Sequence, residues 1–459
     1  MVLLVACLTL SQPTPIAITH VNVVDVSHGR IEPNQTVVLE GDKIANIAQV
    51  APPAGATLVD GKGKFLIPGL WDCHVHCWSD QIFFPLFLAN GVTSVRDMFG
   101  PLDPIKKWRK DIESGKTLGP RIVAAGKIVD GPKPIWPGSL TAKDAAEGAK
   151  AVETLQKEGS DFVKVYSLLP RDAYFGIAAE AKKRKMVFAG HVPTAISASE
   201  ASDAGQKSFE HLYSVLQGCS SKEADLLKST TLSRMQRTKT MLDSFDALKA
   251  RTLFAKFKKN GTWQCPTLVV LNSIAHLDDP KFRQDPRTAY LPAFVTATWD
   301  PTKDFRMKAL TKEDFEAMRM RFDLECGLVD MMNKAGVQFL AGTDTPNPFC
   351  FPGFSLHDEL ALMVKCGFKP LQALQTATIN PARYFGWEKT MGTAEKGKVA
   401  DLVLLDANPL LDIHNTTKIS AVFTKGRLID KARIDQMLNK KTAQIPDPGI
   451  RTWGFDYDN

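Results

Sequence analysis

Eight short apolar runs, each able to form a strand, alternate with helical stretches through the middle of this 459-residue chain. That alternation limits the fold more than any other feature. The strand candidates are Phe65–His76, Val92–Met98, Ile122–Val129, Phe162–Ser167, Val187–Val192, Ser208–Leu212, Trp263–Val270 and Val337–Thr343. Helical stretches lie between most of them, as at Ala142–Glu158, Arg171–Lys185, Ser221–Lys259 and Lys312–Ala335. Alternation of this count over about 320 residues predicts an α/β chain built as a (β/α)8 TIM barrel. The two ends have another character. Ile16–Val26 and Thr36–Ile47 alternate like strands, with a hairpin turn at Gly41-Asp42. Residues 400–406 and 419–423 look similar, with Gly426 turning the chain. We expect both ends to meet in one small β-sandwich, 16–66 plus 392–435, around a barrel spanning 67–391.

Residues 1–15 carry a short apolar run without a basic start, which reads equally as a truncated export signal or an unstructured tail. Export would place the protein in the periplasm, outside the cell or on a membrane as a lipoprotein; otherwise it is cytoplasmic. Residues 436–459 form a C-terminal extension. No later segment is long and apolar enough to span a membrane. The net charge of +7 is modest for this length, and basic clusters such as 106–110 and 182–185 fall in helical stretches. Solvated helix faces explain them better than nucleic-acid binding. The eight cysteines show no paired spacing that suggests a disulfide framework or a zinc knuckle.

Barrel chemistry sits at the C-terminal ends of the strands. The first candidate strand ends in His74-Val75-His76, which puts both imidazoles on one face and Val75 on the other. Two imidazoles side by side are half of a metal site. By the same alternation Cys73 and Cys77 lie on the face opposite the histidines, as packing residues. In the fourth strand Lys164 and Tyr166 share the face opposite Val163 and Val165, and an inward lysine is costly unless something neutralises it. The fifth and sixth strands end in His191 and His211, the eighth in Asp344. Each has an ordinary alternative: a hydrogen-bonded core histidine, a lysine paired with a carboxylate, an aspartate capping a helix. Six ligand-type residues on five strand ends favour one site over six coincidences. The connection from Asn272 to Lys334 is unusually long, and its aromatics Tyr290, Phe294 and Trp299 suit a lid or a pocket wall.

This order, HxH followed by Lys, His, His and Asp on strands one, four, five, six and eight, resembles the amidohydrolase superfamily. Lys164-Val165-Tyr166-Ser167, Ala189-Gly190-His191-Val192-Pro193, Glu210-His211-Leu212 and 377–382 are similar to its two-metal branch, described as imidazolonepropionase-like, with Xaa-Pro dipeptidases and ochratoxin amidases among its members. The resemblance implies that His74, His76 and Asp344 hold one divalent metal and His191 and His211 a second, with Lys164 bridging them as a carbamate. Zinc suits nitrogen and oxygen donors of this kind. It further implies amide hydrolysis by a metal-bridging hydroxide, with Asp344 moving the proton, and Tyr166 donating to the oxyanion or to a substrate carboxylate. Arg171 is a second candidate for that carboxylate, and Trp136 for an apolar acyl side. The expected substrate is a small amide, either a dipeptide or an N-acyl amino acid, with assembly into a homo-oligomer left open. Alternatives on the same centre are a lactonase or phosphotriesterase, or a binding barrel without catalysis. Single-metal deaminases of this fold lack the bridging lysine, so Lys164 argues for the two-metal branch.

Overall fold

A computed structural model describes residues 14–439, except 230, 303 and 305. The export-signal or tail segment up to residue 13, and the C-terminal extension beyond residue 439, lie outside the described residues. Five strands open the described chain: β1 (Ile16–Asp25), β2 (Arg30–Glu40), β3 (Lys43–Ala48), β4 (Thr57–Asp60) and β5 (Phe65–Pro68). The middle holds β6 (Leu70–Val75), β7 (Val92–Asp97), β8 (Arg121–Ala124), β9 (Ile128–Asp130), β10 (Leu140–Thr141), β11 (Val163–Val165), β12 (Phe188–Gly190), β13 (Ser208–Glu210) and β14 (Trp263–Cys265). Then come β15 (Leu402–Leu405), β16 (Ile419–Thr424) and β17 (Arg427–Ile429).

The two ends do come together. They form one eight-stranded sheet in the order β17-β16-β15-β5-β1-β2-β3, with β4 pairing beside β1. The joint is the antiparallel pair β5–β15, where Leu402 faces Pro68 and Leu405 faces Phe65. Alternation along β15 lets the sheet work on both faces. Leu402 and Leu404 pack with Ile18, Val37 and Phe423 in the sheet's own cluster. Val403 and Leu405 point the other way, into the main core. The first predicted strand therefore divides: Phe65–Pro68 belongs to this sheet, and past Gly69 the chain enters the central strands as β6.

The central strands are parallel throughout, in the orders β6-β7-β8 and β10-β9-β11-β12-β13-β14. The predicted third strand breaks at Gly126, whose φ of 71° turns the chain between β8 and β9. Its first half pairs with β7 and its second with β11. The predicted eighth strand is an extended segment with isolated bridges at Phe339 and Thr345. Leu340 N donates to Gln264 O on one side, while Asp344 N donates to His74 O on the other. Hydrogen bonds thus run from β14 through this segment to β6.

The helical expectation over 221–259 resolves into three helices, Glu223–Lys228, Arg234–Asp243 and Ala247–Asn260. Local caps decide this: Ser233 and Gln236 form a capping box, and Asp246 accepts from Leu248 N and Lys249 N. Lys312–Ala335 forms as predicted, started by a Thr311–Asp314 capping box. Cys326 on that helix is joined to Cys366 as a disulfide, a pairing that their 40-residue separation did not suggest. Among the described residues no helix is long and apolar enough to cross a membrane.

Candidate metal centre

Every histidine singled out at a strand end points into one buried cluster. His74 Nε2 lies 3.2 Å, and His76 Nε2 2.8 Å, from Asp344 Oδ1. His211 Nε2 is 3.9 Å from Asp344 Oδ2. The His191 ring sits edge-on to His211 with centroids 4.9 Å apart. His211 and Asp344 both adopt positive φ, 59° and 62°, and the surrounding structure holds them in that sparsely populated region. At His211 this breaks strand alternation, so consecutive Glu210 and His211 both serve the site.

The four imidazoles share one arrangement. His74 Nδ1 meets Glu210 Oε2 at 2.9 Å and His76 Nδ1 meets Phe99 O at 3.3 Å. His191 Nδ1 meets Ser167 Oγ at 2.7 Å and His211 Nδ1 meets Thr267 Oγ1 at 2.6 Å. With Nδ1 engaged, each ring keeps Nε2 for the centre, as metal-binding histidines do. Burial, aided by the charge on Lys164, holds His74 and His191 well below the usual histidine range. Burial also brings His211 down to about 4. These three rings are neutral at physiological pH, the state that can bind a cation.

Lys164 occupies the face of β11 opposite Val163 and Val165, as its alternation predicts. Gly190 makes room for it: a Cβ there would stand 2.9 Å from Lys164 Cδ and 2.2 Å from Val165 O. The side chain is 1% exposed, yet among the described residues its Nζ has no hydrogen-bond or ion-pair partner. Burial drops its pKa to about 8, against the pull of Glu210 and Asp344. An orphaned, readily deprotonated amine beside four imidazoles and a carboxylate suits a bridging carbamate and divalent cations. Burial raises the Asp344 carboxyl, but His211, His76 and Lys164 outweigh it and keep the group lowered and ionised.

Sequence reasoning missed the groups that orient the centre. Arg96 on β7 donates from Nη2 to both Glu210 oxygens at 2.9 Å and from Nε to Cys73 O at 2.6 Å. All three residues of the chain Arg96–Glu210–His74 are buried. The available signal was a charged residue inside each of two apolar strands. Asp72 accepts from Thr343 N and Oγ1, tying β6 to the segment that carries Asp344. One expectation is corrected here. Cys73 packs with Trp71 and Cys265 in the inner cluster, apart from the helix-facing core that holds Val75, because an irregularity between Asp72 and Val75 breaks simple alternation.

The cluster opens into a cavity of about 410 Å³ lined by all six residues expected as ligands. Tyr166 lies there too, stacked on His191 at 4.0 Å, and its oxygen accepts from Trp136 Nε1 at 2.7 Å. Burial pushes the Tyr166 phenol up, so it stays protonated and able to donate. Trp136 lines the same wall. Arg171 is elsewhere. It pairs with Glu200 at 2.6 Å and donates to Ala195 O, outside the cavity. The long connection does supply a wall, through Trp299, Met307 and Leu310 and through Met318, Arg321, Phe322 and Glu325 on its helix. Of its other aromatics, Tyr290 stacks on Phe354 and Phe294 packs near Trp78.

Over an alignment of 461 positions the chain is 23% identical to ochratoxinase of Aspergillus niger, covering 86% of this chain and 78% of that protein. Its fold is similar to bottromycin amidohydrolase, with a TM-score of 0.72, 22% identity, and 93% and 89% of the two chains covered. It is also similar to a putative prolidase from Bifidobacterium longum, with a TM-score of 0.67, 23% identity and coverage of 94% and 99%. These likenesses identify the fold as TIM-barrel-like α/β. The model of the amidohydrolase family matches residues 65–429, from β5 of the end sheet through the central strands to the end sheet's last strand, and the chain belongs to that family.

Proposed function

We propose that this hydrolase cleaves the amide bond of a dipeptide or N-acyl amino acid at a two-metal centre. The observation that carries the proposal is the set of four imidazoles, each tethered at Nδ1, grouped around Asp344 and Lys164, whose Nζ has no hydrogen-bond or ion-pair partner among the described residues. In this reading His74, His76 and Asp344 would hold one cation and His191 and His211 the other, and Lys164, on taking up carbon dioxide and losing a proton, would offer both a carbamate. Zinc is the metal we assign, from the nitrogen and oxygen donors. When bound, the cations lower the pKa of a water and polarise the carbonyl. Water adds to the carbonyl carbon and the C–N bond breaks. Asp344, kept ionised by its neighbours, takes the water's proton and returns it to the leaving nitrogen. Tyr166, whose oxygen is already fixed by Trp136, points its own proton at the developing oxyanion. Trp136, Met307, Leu310 and Phe322 favour an apolar acyl group. The scaffold we assign is a closed (β/α)8 barrel over 67–391, with a sandwich of 16–66 and 392–435 beside it. The similarity to ochratoxinase and to prolidase-like structures supports an amide substrate.

Metal analysis joined to a substrate panel tests this. We expect two equivalents of divalent metal per chain and turnover within a set of Xaa-Pro, Xaa-Arg, other dipeptides and N-acyl amino acids. Purified protein without affinity for divalent metal would sink the two-metal reading, and turnover of lactones alone would sink the amidase reading.

A further inference from the structure

Arg321 lines the cavity from the long connection's helix, Lys312–Ala335, and its bonding is incomplete. Its Nε donates to Glu325 Oε1 at 2.8 Å, and among the described residues its two Nη groups have no protein partner. The side chain is 32% exposed while Glu325 is 2% exposed, so the carboxylate anchors the guanidinium from behind and leaves the outer fork open to the cavity. Glu325 keeps Arg321 firmly charged. Tyr213 lines the same cavity beside the histidines. Its ring packs 4.5 Å from His191 and 5.5 Å from His211, and its phenol feels the charges of Arg321, Glu325 and Asp344. His211, Leu212 and Ser214 all have positive φ, so the chain accepts local strain to place Tyr213 there. The other arginines differ. Arg306 already holds Asp304 by both carboxylate oxygens and reaches Asn347. Arg234 is an exposed residue at the cavity's edge.

We propose that Arg321, braced by Glu325, is the specificity-determining residue that receives the free carboxylate of the substrate's leaving amino acid. The open Nη pair matches a carboxylate as a planar two-bond fork. This rests on the amide reading above and deepens it by naming which end of the cavity takes the charged half of the substrate. Inspection of strand ends cannot find such a residue, because Arg321 reaches the site from a helix.

The test uses N-acetyl-L-phenylalanine and its primary amide, which differ only in that carboxylate. Calorimetry on the metal-loaded wild-type protein is expected to show the acid binding about 10–100-fold tighter than the amide, the range of a charge-assisted hydrogen-bond pair. R321M is expected to remove the difference by weakening the acid and leaving the amide unchanged, with R321K restoring part of it through charge without the fork. Wild-type protein that does not discriminate, or an R321M protein that still does, overturns the proposal. Thermal melting identifies a folded R321M protein; if it does not fold, E325Q replaces it, with a smaller loss of discrimination expected and unchanged discrimination counting against the proposal. Turnover of the same two compounds separates the readings. Selective binding of the acid with no hydrolysis of any panel amide would refute the amidase reading and leave the Arg321 assignment standing.

Discussion

Glu210 shows how much a single buried side chain decides. Its two oxygens take both Arg96 bonds, and Oε2 also holds His74 Nδ1. The carboxylate thereby sets the tautomer of His74 and leaves Nε2 as the donor to the centre. E210Q preserves the shape but removes the charge and offers only one acceptor oxygen. We expect a loss of about 10–100-fold in metal affinity, measured by chelator competition; unchanged affinity would mean that His74 is oriented by packing alone. At Lys164 the expected loss is total for one metal. K164A should bind a single equivalent, and two equivalents in that variant would refute the bridging role. The six proposed ligands were legible in the sequence as ligand-type residues at predicted strand ends, with alternation adding support at His74, His76 and Lys164. Arg96, Ser167 and Thr267 were not: Ser167 and Thr267 become meaningful only when a neighbouring strand brings a histidine within hydrogen-bond distance, and Arg96 only when Glu210 stands between it and His74.

At the scale of elements, the segment 338–345 is the most exposed to error. It is extended and bonded to β14 and β6 by isolated bridges, and it carries Asp344. Gly342 lets it approach: a Cβ there would stand 2.6 Å from Cys265 Sγ and 2.8 Å from His74 Cβ. G342A is expected to cost about 1–3 kcal/mol of stability, the usual penalty of overpacking, and to displace His74 from Asp344. Chemical denaturation and metal titration would read the two effects, and a variant of wild-type stability would show that the strands yield freely. Sequence periodicity located this segment and the long helix well. It merged the end-sheet strand β5 with β6, and β8 with β9, because an apolar run does not reveal where the chain changes partners. Arg171 failed as a site residue for a related reason: its helix directs it to Glu200, outside the cavity.

For the molecule as a whole, His357 records how the parts depend on one another. It is buried on the helix Phe354–Lys365, with Nδ1 against Thr416 Oγ1 and Nε2 against Asn90 O, so it links that helix to the chain entering β16 and to the end of the helix Asp80–Ala89. Burial brings its pKa down to about 4 from 6.5. The unfolded chain therefore binds the extra proton first, and stability contributed by neutral His357 is lost as pH falls from about 6.5 toward 4. The shift corresponds to about 3 kcal/mol. Denaturant titrations of wild type and H357Q across that window should differ in slope, the variant losing less stability on acidification; parallel curves would remove His357 from the account.

The amino-acid sequence alone determined the strand–helix order and the residue types at the strand ends, because both follow from local periodicity and chemical identity. Tertiary structure alone decided which nitrogen each imidazole presents, that Lys164 Nζ has no hydrogen-bond or ion-pair partner among the described residues, that Cys326 meets Cys366, and that Arg321 rather than Arg171 faces the cavity. Those are relations between residues far apart in the chain, and only packing brings them within bonding distance.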